Sequence, residues 1–157
     1  RPPDPASKAP ETAAMHLPVA TKEGGTALAT PDTCNVPAPP PPGGVPTAFP
    51  NNGSLNTSDK VTTNVLISNK GICVEDSEMP SSHGDEPGVS NLPTPKGLMS
   101  QTNMGKIVFK QHSSKVKAEG KGVVLHTAVT AHNGTGNANM PAGSHMVPSQ
   151  TKVLASP

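Results

Sequence analysis

The chain has 157 residues, a net charge of +1 and 15% charged residues, enough length for one domain of ordinary size. Pro (20), Gly (15) and Ser (14) make up nearly a third of it, and Phe49 and Phe109 are its only aromatic rings. That much proline excludes a large helical core, the weak charge and missing rings exclude a base-stacking nucleic-acid binder, and no apolar run of about 18 residues offers a membrane span.

Residues 1–14 (RPPDPASKAPETAA) have no periodicity and read as a flexible Pro/Ala-rich tail, leaving 15–154 as the domain. Pro37–Pro50 reads as an irregular strap across that domain, since its flanks lack the basic residue of a polyproline ligand. Val61–Ser68 is β-branched and predicts a strand, Asn69-Lys70-Gly71 a turn and Ile72-Cys73-Val74 a returning strand. Glu75 to Lys96 reads as a long polar loop. Lys106–Lys110 alternates charged and apolar residues as a half-buried strand does. Val116–Glu119 predicts a short strand, Gly120-Lys121-Gly122 a turn, Val123–Thr127 its return and Thr151–Leu154 a last strand. Short strands joined by glycine turns predict a small all-β domain with long ordered loops and a Pro-rich N-terminal extension.

Two cysteines, Cys34 and Cys73, are too few for a disulfide framework. No charged start followed by an apolar stretch marks a secretory signal, so the expected compartment is the reducing cytoplasm. One bridge between the two is the alternative. The Ile-Cys-Val setting of Cys73 reads as a buried, inert thiol rather than a nucleophile. His83-Gly84-Asp85-Glu86 invites an acid–base reading, but a Gly84 turn with the carboxylates capping nearby N–H groups accounts for it. Asn56-Thr57-Ser58 and Asn133-Gly134-Thr135 are chance matches to the glycosylation pattern, and Gly143-Ser144-His145-Met146 reads as native sequence.

Several segments taken in order carry more. They are Pro31-Asp32-Thr33-Cys34, Val45-Pro46-Thr47-Ala48-Phe49-Pro50-Asn51, Gly84-Asp85-Glu86, Asn103-Met104-Gly105-Lys106, Val116 to Lys121, His126, His132-Asn133, Met140-Pro141-Ala142-Gly143 and Pro148-Ser149-Gln150. In this order the chain resembles the PAAR-like domain of bacterial type VI secretion systems, over about Met15 to Leu154. Ala48 and Phe49 stand where the family has Pro and Tyr, and Gly134 stands where a further His often follows the His132-Asn133 pair. The resemblance implies a cone-like tip capping a trimeric VgrG spike and carrying an effector or its chaperone. It implies a protein held in the bacterial cytoplasm before firing and then delivered with the spike, without stable membrane insertion. A structural zinc is implied for related domains.

The candidate zinc ligands are Cys34, His126, His132 and His83, with His112 or Cys73 as substitutes for the last. His126 and His132 are six positions apart, and on a strand an even spacing puts both rings on one face. A closed tetrahedral site would stabilise a tip too small for a large core. Ile107, Phe109, Val123 and Val124 are the candidate partner-binding residues, on strand edges that could stack on the spike. A non-enzymatic protein is expected, because no catalytic extension precedes Pro157. The runner-up readings are the front end of a secreted toxin effector, a metal-binding delivery adaptor without a capping role, and a largely disordered linker.

Overall fold

A computed structural model describes residues 14–37, 44–88 and 96–157. The all-β expectation holds: the described residues form twelve strands and two single-turn 3-10 helices, Leu55–Thr57 and Glu86–Gly88. The strands are β1 (Leu17–Pro18), β2 (Thr26–Pro37), β3 (Gly44–Ser54), β4 (Leu66–Ile67), β5 (Lys70–Gly71), β6 (Glu78–Met79), β7 (Ile107–Phe109), β8 (Lys117–Ala118), β9 (Lys121–Gly122), β10 (Val129–His132), β11 (Met140–Val147) and β12 (Leu154–Ala155). Most of the predicted tail lies outside the described residues.

The organising element is a ring of three short segments. Ala20 N–H donates to Val124 O (2.8 Å), Val124 N–H to Cys73 O (2.9 Å) and Cys73 N–H to Ala20 O (2.9 Å). A second triangle surrounds the first: Lys22 to Gly71 (2.9 Å), Glu75 to Gly122 (3.0 Å) and His126 to Pro18 (2.8 Å). The bridges Thr21↔Ile72, Val74↔Val123 and Val19↔Leu125 complete the same cycle. Each segment relates to the next as that one does to the third, so the backbone has a pseudo-threefold axis.

Extended segments alternate their side chains, and here the alternation divides two cores. Ala20, Cys73 and Val124 pack on one side with Leu55, Met79, Ile107 and Phe109. Val19, Ile72, Val74, Val123 and Leu125 pack on the other with Ala118 and Ala155.

From the ring each repeat sends one strand up (β2, β6 or β10) and returns on another (β3, β7 or β11). These six make one antiparallel sheet in the order β3-β2-β11-β10-β7-β6. Its outer ends meet where Asn52 and His83 exchange backbone hydrogen bonds of 2.7 and 2.8 Å, which curls the sheet towards a closed cone. Below the ring each repeat adds a two-stranded arm: β4–β5, β8–β9 and β1–β12. The first two are hairpins whose central residues, Ser68-Asn69 and Glu119-Gly120, all have positive φ, as a two-residue turn matched to strand twist requires. The third arm has no hairpin, because the two ends of the domain pair to build it. Glu119 ties two arms together: its Oε1 accepts the N–H groups of Thr63, Asn64 and Val65.

The main departures from expectation concern proline. β2 and β3 form a long hairpin where a strap was expected, and residues 38–43 of that block lie outside the described residues. Pro46 and Pro50 are tolerated because β3 pairs with β2 alone along that stretch, so the missing donors face outwards. The loop expected over Glu75 to Lys96 contains β6 and a 3-10 turn, with 89–95 outside the described residues. The last strand starts at Leu154 rather than Thr151.

Candidate functional site

The end of the cone away from the ring is closed by a buried polar network. Asp32 and Cys34 lie on β2, Asp85 just before the second 3-10 turn, Asn133 after β10 and Asn139 before β11. Asn133 is central: its Nδ2 donates to Asp32 Oδ2 (2.5 Å) and to Asp85 Oδ2 (2.6 Å), while its Oδ1 accepts Gly105 N–H (2.7 Å). Asn139 Nδ2 donates to Asp32 Oδ1 and to Thr33 O, and its Oδ1 accepts Met99 N–H (2.8 Å). Asp85 also accepts Met104 N–H at 3.1 Å. The network continues through Ser82 and Asn51 to His132, whose Nδ1 donates to Asn51 Oδ1 (2.5 Å) and whose Nε2 pairs with Thr130 Oγ1 (2.9 Å). Gly88 is required beside it, because a Cβ there would sit 2.6 Å from the Cβ of Cys34.

Burial dominates the electrostatics. It pushes Asp32 up to about 6, against the hydrogen bond from Asn139 and with the charge of Asp85. It pushes the Cys34 thiol to about 12, helped by the same two carboxylates, and holds His132 down to about 4. For these three groups burial disfavours the charged form.

The expected zinc set does not come together. Cys34 sits beside Asp32 and Asp85, and these three offer ligand atoms within 4.8 Å of one another. His132 is buried with both nitrogens taken by Asn51 and Thr130. His83 lies outside on the surface, 3.4 Å from Glu86. His126 is at the ring, because Thr127 has φ +71° and the Ala128-to-Leu125 turn breaks the strand that the even spacing assumed. The Asp32–Cys34–Asp85 group fits zinc poorly. Amide donors occupy both oxygens of Asp32 and one of Asp85, and their orientation is fixed by the Gly105 and Met99 N–H groups bound to their own carbonyls, so these oxygens are already engaged.

The opposite end is apolar. Val65, Val116 and Val153 occupy equivalent places on the three arms and are 46%, 36% and 42% exposed. They rim a concavity of about 430 Å³, walled by Ile67, Ala118 and Ala155 and floored by Val19, Ile72 and Val123. Two arms share a hydrogen bond, Val19 N–H to Val153 O (3.0 Å) and Val123 N–H to Val116 O (3.1 Å), whereas in the third the Thr62 hydroxyl stands between, accepting Ile72 N–H (2.7 Å) and donating to Val65 O (2.6 Å). Ile107, Phe109, Val123 and Val124, proposed from sequence to face a partner, are all buried. Phe109, Ile107 and Val124 pack in the core above the ring. Val116 opens a segment, Val116–Val124, that the sequence offered as a binding edge; Val65 and Val153 were missed, although both lay inside predicted strands.

These features define a class: a small all-β domain of three circularly closed repeats, with a polar apex and an apolar three-armed base. The sequence matches the toxin PAAR-like domain family over residues 25–142, and the chain belongs to that family. The resemblance read from the residues is thereby borne out. The chain is also 34% identical over 137 residues to the DNase toxin Tse7 of Pseudomonas aeruginosa, covering 85% of this chain and 34% of that protein. It thus spans about a third of this relative's length. That relative is an enzyme, and the finding overturns the expectation of a purely structural, non-enzymatic protein. No solved structure matches the chain. Among the described residues no helix is long and apolar enough to cross a membrane.

Proposed function

We propose that residues 15–154 cap the trimeric VgrG spike of a type VI secretion system and carry a toxin effector with it. The observation that supports this is the pseudo-threefold ring and the three-armed apolar base below it. A single chain that meets a threefold partner normally faces a symmetry mismatch. Here the chain presents three equivalent valines around one axis, so each protomer of a trimer meets the same surface. An apolar concavity rimmed by exposed side chains is the kind of patch that a partner covers.

The toxin carried would act on DNA, as the relative's name states for that protein. The protein would wait in the cytoplasm with its spike and reach the target cell on firing. The test is to mix the purified chain with trimeric VgrG from the same genome and measure the mass of the complex. One copy per trimer supports the cap; three copies, or no complex, contradicts it. Plasmid DNA incubated with the full-length protein tests the toxin reading, which intact DNA would refute.

A further inference from the structure

The side chains that meet at the apex satisfy one another. Asn133 Nδ2 gives one hydrogen to Asp32 Oδ2 (2.5 Å) and one to Asp85 Oδ2 (2.6 Å). Its Oδ1 accepts Gly105 N–H (2.7 Å) and the Ser82 hydroxyl (3.4 Å), so every hydrogen-bonding position of this amide is in use. Asn139 donates to Asp32 Oδ1 and Thr33 O and accepts Met99 N–H. Met104 N–H adds a donor to Asp85 at 3.1 Å. Asp32, Asp85 and Asn133 are fully buried. Among the described residues, the buried side-chain nitrogen and oxygen atoms without a partner belong to Ser58, His126 and His145, and none to this cluster. Lone pairs that converge with no protein donor are what call for an ion; here the donors are amides.

We infer that this domain closes its apex without a metal ion, the Asn133 amide standing where an ion would join the two carboxylates. The atom shared by Asp32 and Asp85 is a nitrogen with two hydrogens, and hydrogen bonds to carboxylates are the strong kind. Only three ligand groups converge, Asp32, Cys34 and Asp85, whereas a structural zinc takes four. His132, the imidazole that the network reaches, has Asn51 and Thr130 on its two nitrogens.

The network nevertheless does the work of a structural ion. Through Thr33, Met99, Met104 and Gly105 it ties β2, the segment at Asp85, the chain from 99 to 105 and the residues between β10 and β11 into one unit. A structural zinc couples folding to metal supply; hydrogen bonds within one chain do not. The inference replaces the zinc that the family resemblance implies, and it stands independently of spike binding.

The experiment is refolding of the full chain from denaturant in chelator, then melting with and without added Zn²⁺, with ion content measured on the purified protein. The unaltered chain should refold fully, hold less than about a tenth of an ion per chain and melt at one temperature in both conditions. Asn133→Asp keeps the shape but turns two donors into acceptors, completing a four-ligand set with Asp32, Cys34 and Asp85. It should melt lower than the unaltered chain in chelator and rise by about 5 °C or more in Zn²⁺. About one ion per unaltered chain, with chelation lowering its melting temperature, would overturn the inference. So would an Asn133→Asp variant that folds and gains nothing from Zn²⁺. If that variant does not fold, refolding of the unaltered chain in chelator decides the matter.

Discussion

The two ends of the cone solve the same problem, closing a small all-β domain, with opposite chemistry. At the base, backbone hydrogen bonds repeat three times around an axis, and side chains of one kind recur at each repeat. At the apex the closure is by side chains: Asp32, Asp85, Asn133 and Asn139 come from four places and bond mainly to one another and to nearby backbone N–H groups. The base can afford generic aliphatic packing because its form comes from the backbone triangle. At the apex the N–H groups of Met99, Met104 and Gly105 and the carbonyl of Thr33 are satisfied one by one by side-chain amides and carboxylates. Generic packing tolerates change of shape better than it tolerates polarity, whereas a buried network fails when one member leaves it.

The largest expected effect is therefore at the apex. Asn133→Ala removes the amide that joins Asp32 to Asp85 and leaves two carboxylates facing each other. A loss of about 3 kcal/mol or more is expected, because buried carboxyl acceptors left unsatisfied cost more than neutral ones; denaturant melts with a normal midpoint would break the comparison. Next comes the base surface. Val116→Asp should leave the melting temperature nearly unchanged and weaken trimer binding about a hundredfold, close to 3 kcal/mol.

The cysteines add a second contrast, because one substitution can be made in the polar apex and in the apolar axial core. Cys73→Ser puts a hydroxyl in the dry axial core and should cost about 1–3 kcal/mol. Cys34→Ser places the hydroxyl beside Asp85 and Asn139, both 3.9 Å from the sulfur, and should cost less than about 1 kcal/mol. Equal midpoints for the two variants would mean that the apex and the axial core do not differ in polarity as described.

The smallest effect is in pH dependence. Asp32 is raised from 3.8 to about 6, so its contribution is present below 3.8 and lost as pH rises through about 6. His132 is lowered from 6.5 to about 4, so its contribution is present above 6.5 and lost as pH falls through about 4. The two oppose each other between. Asp32→Asn removes the first, and its stability should then only fall on acidification from pH 6.5 to 4. A variant that still gains stability over that range would assign the raised group elsewhere.

Much of this was legible in the residues. Lys106–Lys110 and Val116–Glu119 read as strands, and β7 and β8 fall inside them. The segments holding Asp32, Cys34, Asp85, Asn103, His132 and Asn133 were all singled out, and they do converge. Their chemistry was not legible, because spacing does not tell whether a carboxylate meets a metal or an amide. The threefold was half visible: Lys70-Gly71-Ile72-Cys73-Val74 and Lys121-Gly122-Val123-Val124-Leu125 are near copies. The third segment, Leu17-Pro18-Val19-Ala20-Thr21, lacks the Lys-Gly pair, since its arm is built from both ends of the domain and needs no hairpin turn. The β2–β3 hairpin was hidden by prolines that read as breakers but sit on an open edge.

The central claim is that a pseudo-threefold base meets a true threefold partner, and it is tested most directly arm by arm. Val65→Asp, Val116→Asp and Val153→Asp, each made alone, should weaken binding to trimeric VgrG by similar factors, because in the proposed complex the three side chains would face identical protomers. A loss confined to one arm, or binding untouched by all three, would contradict the claim.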